Sequence, residues 1–284
     1  MNTVSIDNIK IGKKTYKAFS DSVYANHIGI EFEPNTCNLI SCFSVDNGTC
    51  LDIGANIGMT SLLMSDLFQQ VYSFEPAPST FKILQKNIDA NKLKNINAFN
   101  FGLGDKAFAS EIQYSDGNRS GGFITDKSEG TKVNKTEQVK IEKGDRLLKD
   151  VNCHPSFIKI DVEGYELNAL RGLNETIKKN QPVVMVEANH WCLNCFQRTS
   201  MPDFVEELLE VFPILYAVQS NHYIDLRNHS ERYEFYYGNI LRNDYYDLVA
   251  GFDEIQFKKF MSVFNTKAVA RQKAAEGEEE AEKE

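Results

Sequence analysis

The chain has 284 residues, of which 42% are hydrophobic, enough for a large domain with a buried core. Its net charge of −9 and pI near 5.2 argue against a nucleic-acid partner, because phosphate backbones bind basic surfaces. Residues 1–17 carry no apolar signal region and no stretch approaches about 18 uninterrupted apolar residues, which predicts a cytoplasmic protein without a transmembrane segment.

Residues 1–48 are predicted to form an N-terminal cap segment before the main alternation of strands and helices begins. Apolar residues around a break at Gly12 indicate a short hairpin over residues 9–16. Residues 34–45 have apolar side chains at helical spacing and are predicted to form a helix. His27 lies between them, and we interpret it as a packing residue in preference to a site residue.

Residues 49–75 form the most informative stretch, a strand–turn–helix–strand unit. An apolar strand reaches Asp52, a turn runs from Gly54 to Gly58, and a helical pattern leads to a second strand that ends on Glu75. Glycines let the backbone bring N–H groups against a ligand at a helix N-terminus. Glu75 lies 21 residues beyond Gly54 (75 minus 54), near the spacing at which an acid accepts both ribose hydroxyls. The unit is therefore predicted to bind a nucleoside.

Two residues of this unit distinguish between nucleoside cofactors. Asn56 stands where a dinucleotide fingerprint needs a second glycine for the close approach of a pyrophosphate. Asp52 places a negative charge at the turn, which favours an ammonium or sulfonium over a phosphate. S-adenosylmethionine has a ribose, a cationic sulfur and an amino-acid end, and is therefore predicted in preference to NAD.

The next elements extend the same alternation. Pro76 ends the second strand, Ser79 is predicted to cap the following helix, and residues 96–101 are predicted to form a third strand. That strand leads into a Gly102-Leu103 loop at the same edge as the first glycine turn. Asp105 in this loop is either a ligand contact or a simple turn residue.

Residues 106–145 interrupt the alternation and are predicted to be an insertion. Strands are expected at residues 111–114 and 137–141, with a polar segment between them. This segment includes Asn118, Arg119 and Ser120, and it either contacts a substrate or is an ordinary surface loop.

The remaining pattern predicts further strands and helices up to residue 265. Strands are predicted at residues 157–161, 183–187, 214–218, 223–226 and 234–237, and helices at residues 166–173 and 202–212. The alternation implies an α/β fold with a mostly parallel sheet and helices on both faces, over residues 49–265. Residues 266–284 become rich in Ala, Glu and Lys and are predicted to be a disordered acidic tail.

Three short motifs resemble a known family. Residues 52–58 (DIGANIG) and 74–76 (FEP) look like the first two motifs of class I S-adenosylmethionine-dependent methyltransferases. Residues 158–166 (IKIDVEGYE) resemble the motif that marks the FkbM family in particular. The resemblance covers residues 48–189, about half of the chain. It implies a Rossmann-like class I methyltransferase fold, with S-adenosyl-L-methionine as the cofactor.

The resemblance also implies which residues bind the cofactor and which acceptors are methylated. The expected cofactor-binding residues lie at the ends of the first three strands: Asp52, Gly54, Ala55, Asn56, Gly58, Glu75, Pro76, Gly102 and Leu103. The implied reaction is O-methylation of sugar hydroxyls, glycans or secondary metabolites, without identifying one acceptor. By analogy with such folds, the N-terminal cap segment and the insertion are expected to select that acceptor.

Catalysis is assigned to the end of the fourth strand. An alcohol acceptor must lose a proton, so we predict Asp161 as the general base and Lys159 as its electrostatic partner. Glu163 is the next candidate for a catalytic role, and Glu187 and His190 remain alternatives. A simpler interpretation is that Lys159 and Asp161, two apart on one strand face, form an ion pair. No metal site is predicted, because nothing indicates a third ligand beside Asp161 and Glu187.

Two competing functions remain open at this stage. An NAD-dependent sugar oxidoreductase is opposed by Asn56 in the turn and by the lack of a Tyr-x-x-x-Lys pair. A catalytically inactive methyltransferase-like binding module is compatible with an intact glycine turn. Asp161 is not followed by the Pro-Pro-aromatic signature of nucleic-acid amino-methylating enzymes. Cys192-x-x-Cys195 has no second pair, and all six cysteines are expected to be reduced.

Overall fold

The computed structural model describes residues 3–21, 25–26, 28–115, 118–124 and 135–266, excepting the side chains of 115 and 118–121. The strands of these residues are β1 (Thr3–Ile11), β2 (Lys14–Asp21), β3 (Glu31–Phe32), β4 (Thr49–Ile53), β5 (Gln70–Phe74), β6 (Ile96–Phe99), β7 (Gly102–Gly104), β8 (Phe108–Ser115), β9 (Asn118–Phe123), β10 (Lys135–Lys143), β11 (Phe157–Ile160), β12 (Val183–Glu187), β13 (Ile214–Gln219), β14 (His222–Asp225), β15 (Asp247–Gly251) and β16 (Asn265–Thr266). The helices are α1 (Pro34–Cys42), α2 (Met59–Leu67), α3 (Pro78–Ala90), α4 (Gly144–Asp150), α5 (Glu166–Gly172), α6 (Asn174–Asn180), α7 (His190–Gln197), α8 (Met201–Val211), α9 (His229–Arg242) and α10 (Lys258–Val263).

A central sheet carries the fold. Within the described residues it has nine strands in the order β16-β14-β13-β15-β12-β11-β4-β5-β6. The run from β12 to β6 is parallel, whereas β15 is antiparallel to both β12 and β13. If β4, β5, β6, β11, β12, β13 and β15 are numbered one to seven, the order is 3-2-1-4-5-7-6. This is the Rossmann-like class I methyltransferase fold, and the predicted fold class is confirmed.

Alternation of side chains along the central strands creates two hydrophobic cores, one on each face of the sheet. In β11, Phe157 packs into the core beneath α1, α2, α3 and α10, while Ile158 and Ile160 pack into the core beneath α4 to α9. All four residues of β11 are buried, so Lys159 is a charged side chain in an otherwise apolar strand. Such a residue needs a partner, which the site supplies.

The N-terminal hairpin is attached to the main domain through a buried amide. β1 and β2 pair antiparallel across the predicted Gly12 break. The Asn87 side chain on α3 accepts from the Phe19 amide at 2.6 Å and donates to the Phe19 carbonyl at 3.1 Å. Its Nδ2 also donates to the Ile57 carbonyl at 2.7 Å, inside the glycine turn. The hairpin therefore supports the turn from outside the central sheet.

The insertion folds as a second small sheet. The order is β7-β10-β8-β9, and the strands predicted at 111–114 and 137–141 lie within β8 and β10. The predicted polar loop at Asn118–Ser120 is instead part of β9. His27 and the tail beyond Thr266 lie outside the described residues, as do residues 116–117 and 125–134. Among the described helices, none combines the length and apolarity that a membrane crossing requires.

Two predictions were wrong, and one strand was missed. The strand expected at residues 234–237 lies inside α9, whose start is capped by Asn228, the side chain of which accepts from the Ser230 amide. The strand that completes the sheet is β15, which was not predicted. The predicted N-cap residue Ser79 lies within α3, whose N-cap is Ala77; the Ser79 amide and hydroxyl instead both donate to the Glu137 carboxylate.

Candidate active site

The glycine turn after β4 is held by hydrogen bonds within the protein. Gly54 has a φ of +79°, and the Gly54 and Ala55 amides both donate to the Phe74 carbonyl at 3.0 Å. The Asn56 amide donates to Glu75 Oε2 at 2.9 Å. These three amides of the turn therefore have acceptors within the protein. The turn instead brings β4, β5 and the Glu75 carboxylate together at one edge of the sheet.

Glu75 is fixed at the end of β5 with both carboxylate oxygens oriented. Its Oε1 accepts from the Ala77 amide at 2.9 Å, and its Oε2 accepts from Asn56 as described. Each oxygen keeps a second lone pair, so the carboxylate can still accept two hydroxyl groups. Burial raises the pKa of Glu75 to about 7, against the opposing effect of the two amides.

A first pocket of about 260 Å³ opens beside Glu75. Pro76, Gly102 and Leu103 line it together with Gly54 and Asn56, all of which were predicted to bind cofactor. The opposite wall comes largely from the insertion: Ile112, Tyr114, Gly122, Ile124 and Ile141. The pocket thus combines an apolar wall with a carboxylate that accepts hydrogen bonds, which suits a nucleoside.

A second pocket of about 340 Å³ adjoins the first. Glu33, Gly54, Asn56, Asp161 and Glu187 line both. The second pocket also contains Ala55 and Lys159 of the predicted set. Its remaining walls include Phe32 and Thr36 from the N-terminal segment and Tyr246 and Asp247 at the start of β15.

Lys159 connects two acidic positions beneath the two pockets. Its Nζ lies 2.9 Å from Asp161 Oδ2 and 3.8 Å from Asp52 Oδ1. Burial lowers the pKa of Lys159, but the charges of Asp161 and Asp52 outweigh burial and raise the pKa overall. Lys159 therefore stays charged at neutral pH. The predicted Lys159–Asp161 ion pair is present, and the 39% exposed Asp161 side chain also reaches the pockets.

Asp52 and Gly58 lie behind the turn and line neither pocket. Asp52 is fully buried, and its Oδ2 accepts from Thr60 Oγ1 at 2.8 Å and from Ser61 Oγ at 2.5 Å. Asp52 thus orients α2 and Lys159, and in this structure it has no direct path to a ligand. Gly58, with a φ of +93°, is the N-cap of α2.

The loop after β11 is organised by a fully buried carboxylate. Glu166 Oε1 accepts from the Val162 amide at 3.1 Å and from the Gly164 amide at 3.0 Å. Glu163 has a φ of +51° and accepts from Cys192 Sγ at 3.0 Å. Burial, reinforced by the charge of Asp161, raises the pKa of Glu163 to about 7. The Cys192-x-x-Cys195 motif thus contributes one contact to the predicted catalytic loop.

Glu187 and Asp247 form an acidic pair across two neighbouring strands. They are directly opposite in the antiparallel ladder between β12 and β15, so their side chains lie on one face of the sheet. Burial and then the charge of Asp161 raise both pKa values, that of Asp247 to about 7. Both carboxyl groups therefore hold a proton more readily than an exposed acid does.

Comparison with known proteins identifies the family of this chain. The family model described as the methyltransferase FkbM domain matches residues 52–212, more than half of the chain. The chain belongs to the FkbM methyltransferase family. It is similar to Methyltransferase 1 of Beauveria bassiana, with 30% identity over 184 residues that cover 54% of this chain and 72% of that protein.

Two further similarities cover smaller shares of the other protein. The hexuronic acid methyltransferase AglP of Haloferax volcanii is 29% identical over 139 residues, which cover 47% of this chain and 53% of that protein. A crystal structure of methyltransferase FkbM from Methylobacillus flagellatus KT is 20% identical, with a TM-score of 0.45, covering 72% of this chain and 44% of that one.

Sequence reasoning missed several residues of this FkbM-family site. Asp247 and Tyr246 went unnoticed because β15 is antiparallel, so its first residues reach the edge where the parallel strands end. Asp247, directly before the apolar run of residues 248–250, was the signal in the sequence that could have identified this strand. Glu33, at the start of α1, was missed for lack of any motif. His190, a proposed alternative base, begins α7 and lines neither pocket. Within the described part of the chain, no three potential ligands are grouped to hold a metal.

The buried Glu166 predicts how the stability of this FkbM-family protein depends on pH. Burial raises its pKa to about 8, so the folded chain retains a proton that the unfolded chain releases. Stability is therefore greatest below the ordinary glutamate pKa and falls as pH rises towards 8. Glu166→Gln is expected to remove up to about 1.4 kcal/mol per pH unit of this slope, measured by urea unfolding between pH 5 and 8.

The matched control is Glu175→Gln, an exposed glutamate in the first turn of α6, which should leave the slope unchanged. Equal slopes for Glu166→Gln and the wild type would show that Glu166 is charged in the folded chain.

Proposed function

We propose that this FkbM-family chain is an S-adenosylmethionine-dependent O-methyltransferase that acts on a hydroxyl of a saccharide, glycan or secondary metabolite. The observation that carries the proposal is the meeting of two pockets at Gly54 and Asp161. One pocket has the carboxylate and apolar wall suited to a nucleoside. The other has a carboxylate–ammonium pair suited to removing a proton from a hydroxyl.

The residues of the first pocket fit S-adenosylmethionine. Glu75 keeps free lone pairs for the ribose hydroxyls, and Gly102 and Leu103 lie beside an apolar wall wide enough for a base. The acids where the pockets meet favour a cationic sulfur over a pyrophosphate, which is why NAD fits less well. When bound, this cofactor supplies a methyl group on a sulfonium, which a hydroxyl oxygen can take up with loss of its proton.

Asp161 is the residue proposed to accept that proton. Its Oδ2 accepts a hydrogen bond from Lys159 Nζ at 2.9 Å, which orients the carboxylate where the two pockets meet. Glu163 and Asp247, with pKa values of about 7, and Glu187, with a pKa well above its usual range, are less available as bases at neutral pH. Lys159 stays protonated and balances the charge around the reacting oxygen. Glu163 is assigned a supporting role on the same loop.

The acceptor class rests on the family and on one relative. The FkbM resemblance implies hydroxyl acceptors, and the Haloferax relative is named for a hexuronic acid. The 39% exposed side chain of Tyr246 lines the second pocket and offers an aromatic face to a sugar ring. We assign the N-terminal cap segment, residues 1–48, to the acceptor side, because Phe32, Glu33 and Thr36 line that pocket.

The test begins with cofactor binding by calorimetric titration. Wild-type protein is titrated with S-adenosylmethionine, its demethylated product and NAD, and the titrations are repeated on Glu75→Gln. We expect saturable binding of the first two ligands and none of NAD. Glu75→Gln should weaken binding at least about 10-fold, because the amide cannot accept from both backbone N–H groups and two hydroxyls.

Turnover is then measured with labelled methyl donor and sugar acceptors, and Asp161→Asn should lower the rate about 10²–10⁴-fold at saturating methyl donor. Asp89→Asn, an exposed carboxylate on α3, serves as the control for both experiments. Binding of the methyl donor without transfer to any acceptor would favour the inactive binding module, and NAD binding would favour an oxidoreductase.

A further inference from the structure

The second pocket has a strongly one-sided charge. Four carboxyl groups line it, from Glu33, Asp161, Glu187 and Asp247. Among its described lining residues, Lys159 is the one cation, and its ammonium is already engaged by Asp161 and Asp52. A ligand that enters this pocket therefore meets four carboxyl groups and one ammonium that is already paired within the protein.

One of these acids has an atom without a partner. Glu187 Oε2 is buried and has no hydrogen-bond partner among the described residues, although Glu187 lines both pockets. A buried polar atom of this kind is costly unless a ligand or water meets it. Its cross-strand neighbour Asp247 lies at the same wall, so the two carboxyl groups present adjacent hydrogen-bonding oxygens to the cavity.

We propose that the second pocket holds the sugar acceptor, and that Glu187 and Asp247 make it select a neutral or amine-bearing saccharide and reject a uronate. This inference rests on the proposed function and names its substrate class. Carboxyl groups pair well with hydroxyls or an ammonium, whereas a carboxylate on the sugar would meet no unpaired cation among the described lining residues and would add negative charge beside Asp161 in a partly enclosed site. The acceptor of this chain then differs in charge from the hexuronic acid in the name of the Haloferax relative.

The residues that line each pocket indicate which segments of the chain select the acceptor. None of the described insertion residues lines the second pocket, whereas several line the first. The insertion therefore shapes the nucleoside side. Selection of the acceptor falls to the start of β15 and to the N-terminal segment, which supply Tyr246, Asp247, Glu33 and Thr36. Of the two segments expected to select the acceptor, the proposal therefore keeps the N-terminal cap segment and leaves out the insertion.

The experiment compares three sugars that differ mainly in charge. Methyl glucoside, methyl glucosaminide and methyl glucuronide are titrated into protein saturated with S-adenosylhomocysteine, with binding followed by ligand-observed NMR. The first two are expected to bind, and the glucuronide at least about 100-fold more weakly than the glucoside. The double variant Glu187→Gln/Asp247→Asn should reduce the ratio of glucoside affinity to glucuronide affinity at least about 10-fold. Asp89→Asn should leave this ratio unchanged.

Several outcomes would overturn the proposal. Glucuronide binding equal to that of the glucoside, or a ratio that the double variant does not change, would show that these acids do not select by charge. If S-adenosylhomocysteine binds but none of the sugars does, the second pocket is not a saccharide site and the cofactor assignment survives. If S-adenosylhomocysteine itself does not bind, the proposed function fails instead. The wild-type sugar series and Asp247→Asn alone keep the test decisive if the double variant does not fold.

Discussion

Lys159→Met is expected to destabilise the chain by about 3–5 kcal/mol. The lysine side chain is 7% exposed and the Asp52 side chain is 0% exposed, so its removal leaves a buried carboxylate without a cation. Asp52 Oδ1 has no hydrogen-bond partner within the described residues and depends on the Lys159 charge at 3.8 Å. Methionine preserves the length of the side chain, so the loss reports charge more than volume. The free energy of unfolding in urea measures it.

The matched variant is Lys159→Met combined with Asp52→Asn, which removes both charges and keeps an acceptor for Thr60 and Ser61. It is expected to recover much of the lost stability, because breaking a buried pair costs more than replacing it. If Lys159→Met alone costs less than about 1 kcal/mol, Asp52 carries no charge that needs a partner.

Gly54→Ala is expected to lower the free energy of unfolding by about 3 kcal/mol or more and to abolish binding of the methyl donor. A Cβ at this position would lie 1.8 Å from the Asp161 carbonyl oxygen, and the φ of +79° is itself unfavourable for alanine. The clash is with backbone, so β4 and β11 must separate at the edge where the pockets meet. Thermal unfolding and calorimetric titration with S-adenosylmethionine measure the two effects.

Gly102→Ala is the control for this substitution within the same pocket. Its Cβ would meet Ile141 Cδ1 at 2.8 Å, the end of a flexible side chain that can move. Gly102→Ala is expected to lower the free energy of unfolding by about 1 kcal/mol. Equal losses for the two variants would show that crowding of the pocket, and not the strand junction at Gly54, determines the effect.

The parallel half of the site was predictable because its signals are local. Apolar runs that end on Asp52, Glu75, Asp161 and Glu187 identify strand ends, and parallel strands bring such ends to one edge. The family motifs added the cofactor. Which acids face the cavity was not predictable, because Asp52 and Glu75 look alike in sequence and differ in burial and hydrogen bonding only after folding.

The antiparallel part of the sheet could not be predicted from apolar runs that end on an acid. The segment at 234–237 has aromatic residues typical of strands, yet the Asn228 cap and packing of Phe235 place it in α9. The amides of the glycine turn provide a second example. The sequence indicates that the turn is tight, but their hydrogen bonds to Phe74 and Glu75 depend on tertiary contacts.

The position of β15 between β12 and β13 also constrains the order of folding. β13 is synthesised before β15, yet in the finished sheet it pairs with β12 only through β15. A growing chain therefore holds the strands of the first pocket some 60 residues (247 minus 187) before the strand that joins the two halves of the sheet has emerged. The wall of the second pocket at Asp247 is the last part of the site to be completed. With the roles proposed for the two pockets, a nascent or truncated chain without this wall cannot discriminate among acceptors, although it retains the strands proposed to hold the methyl donor.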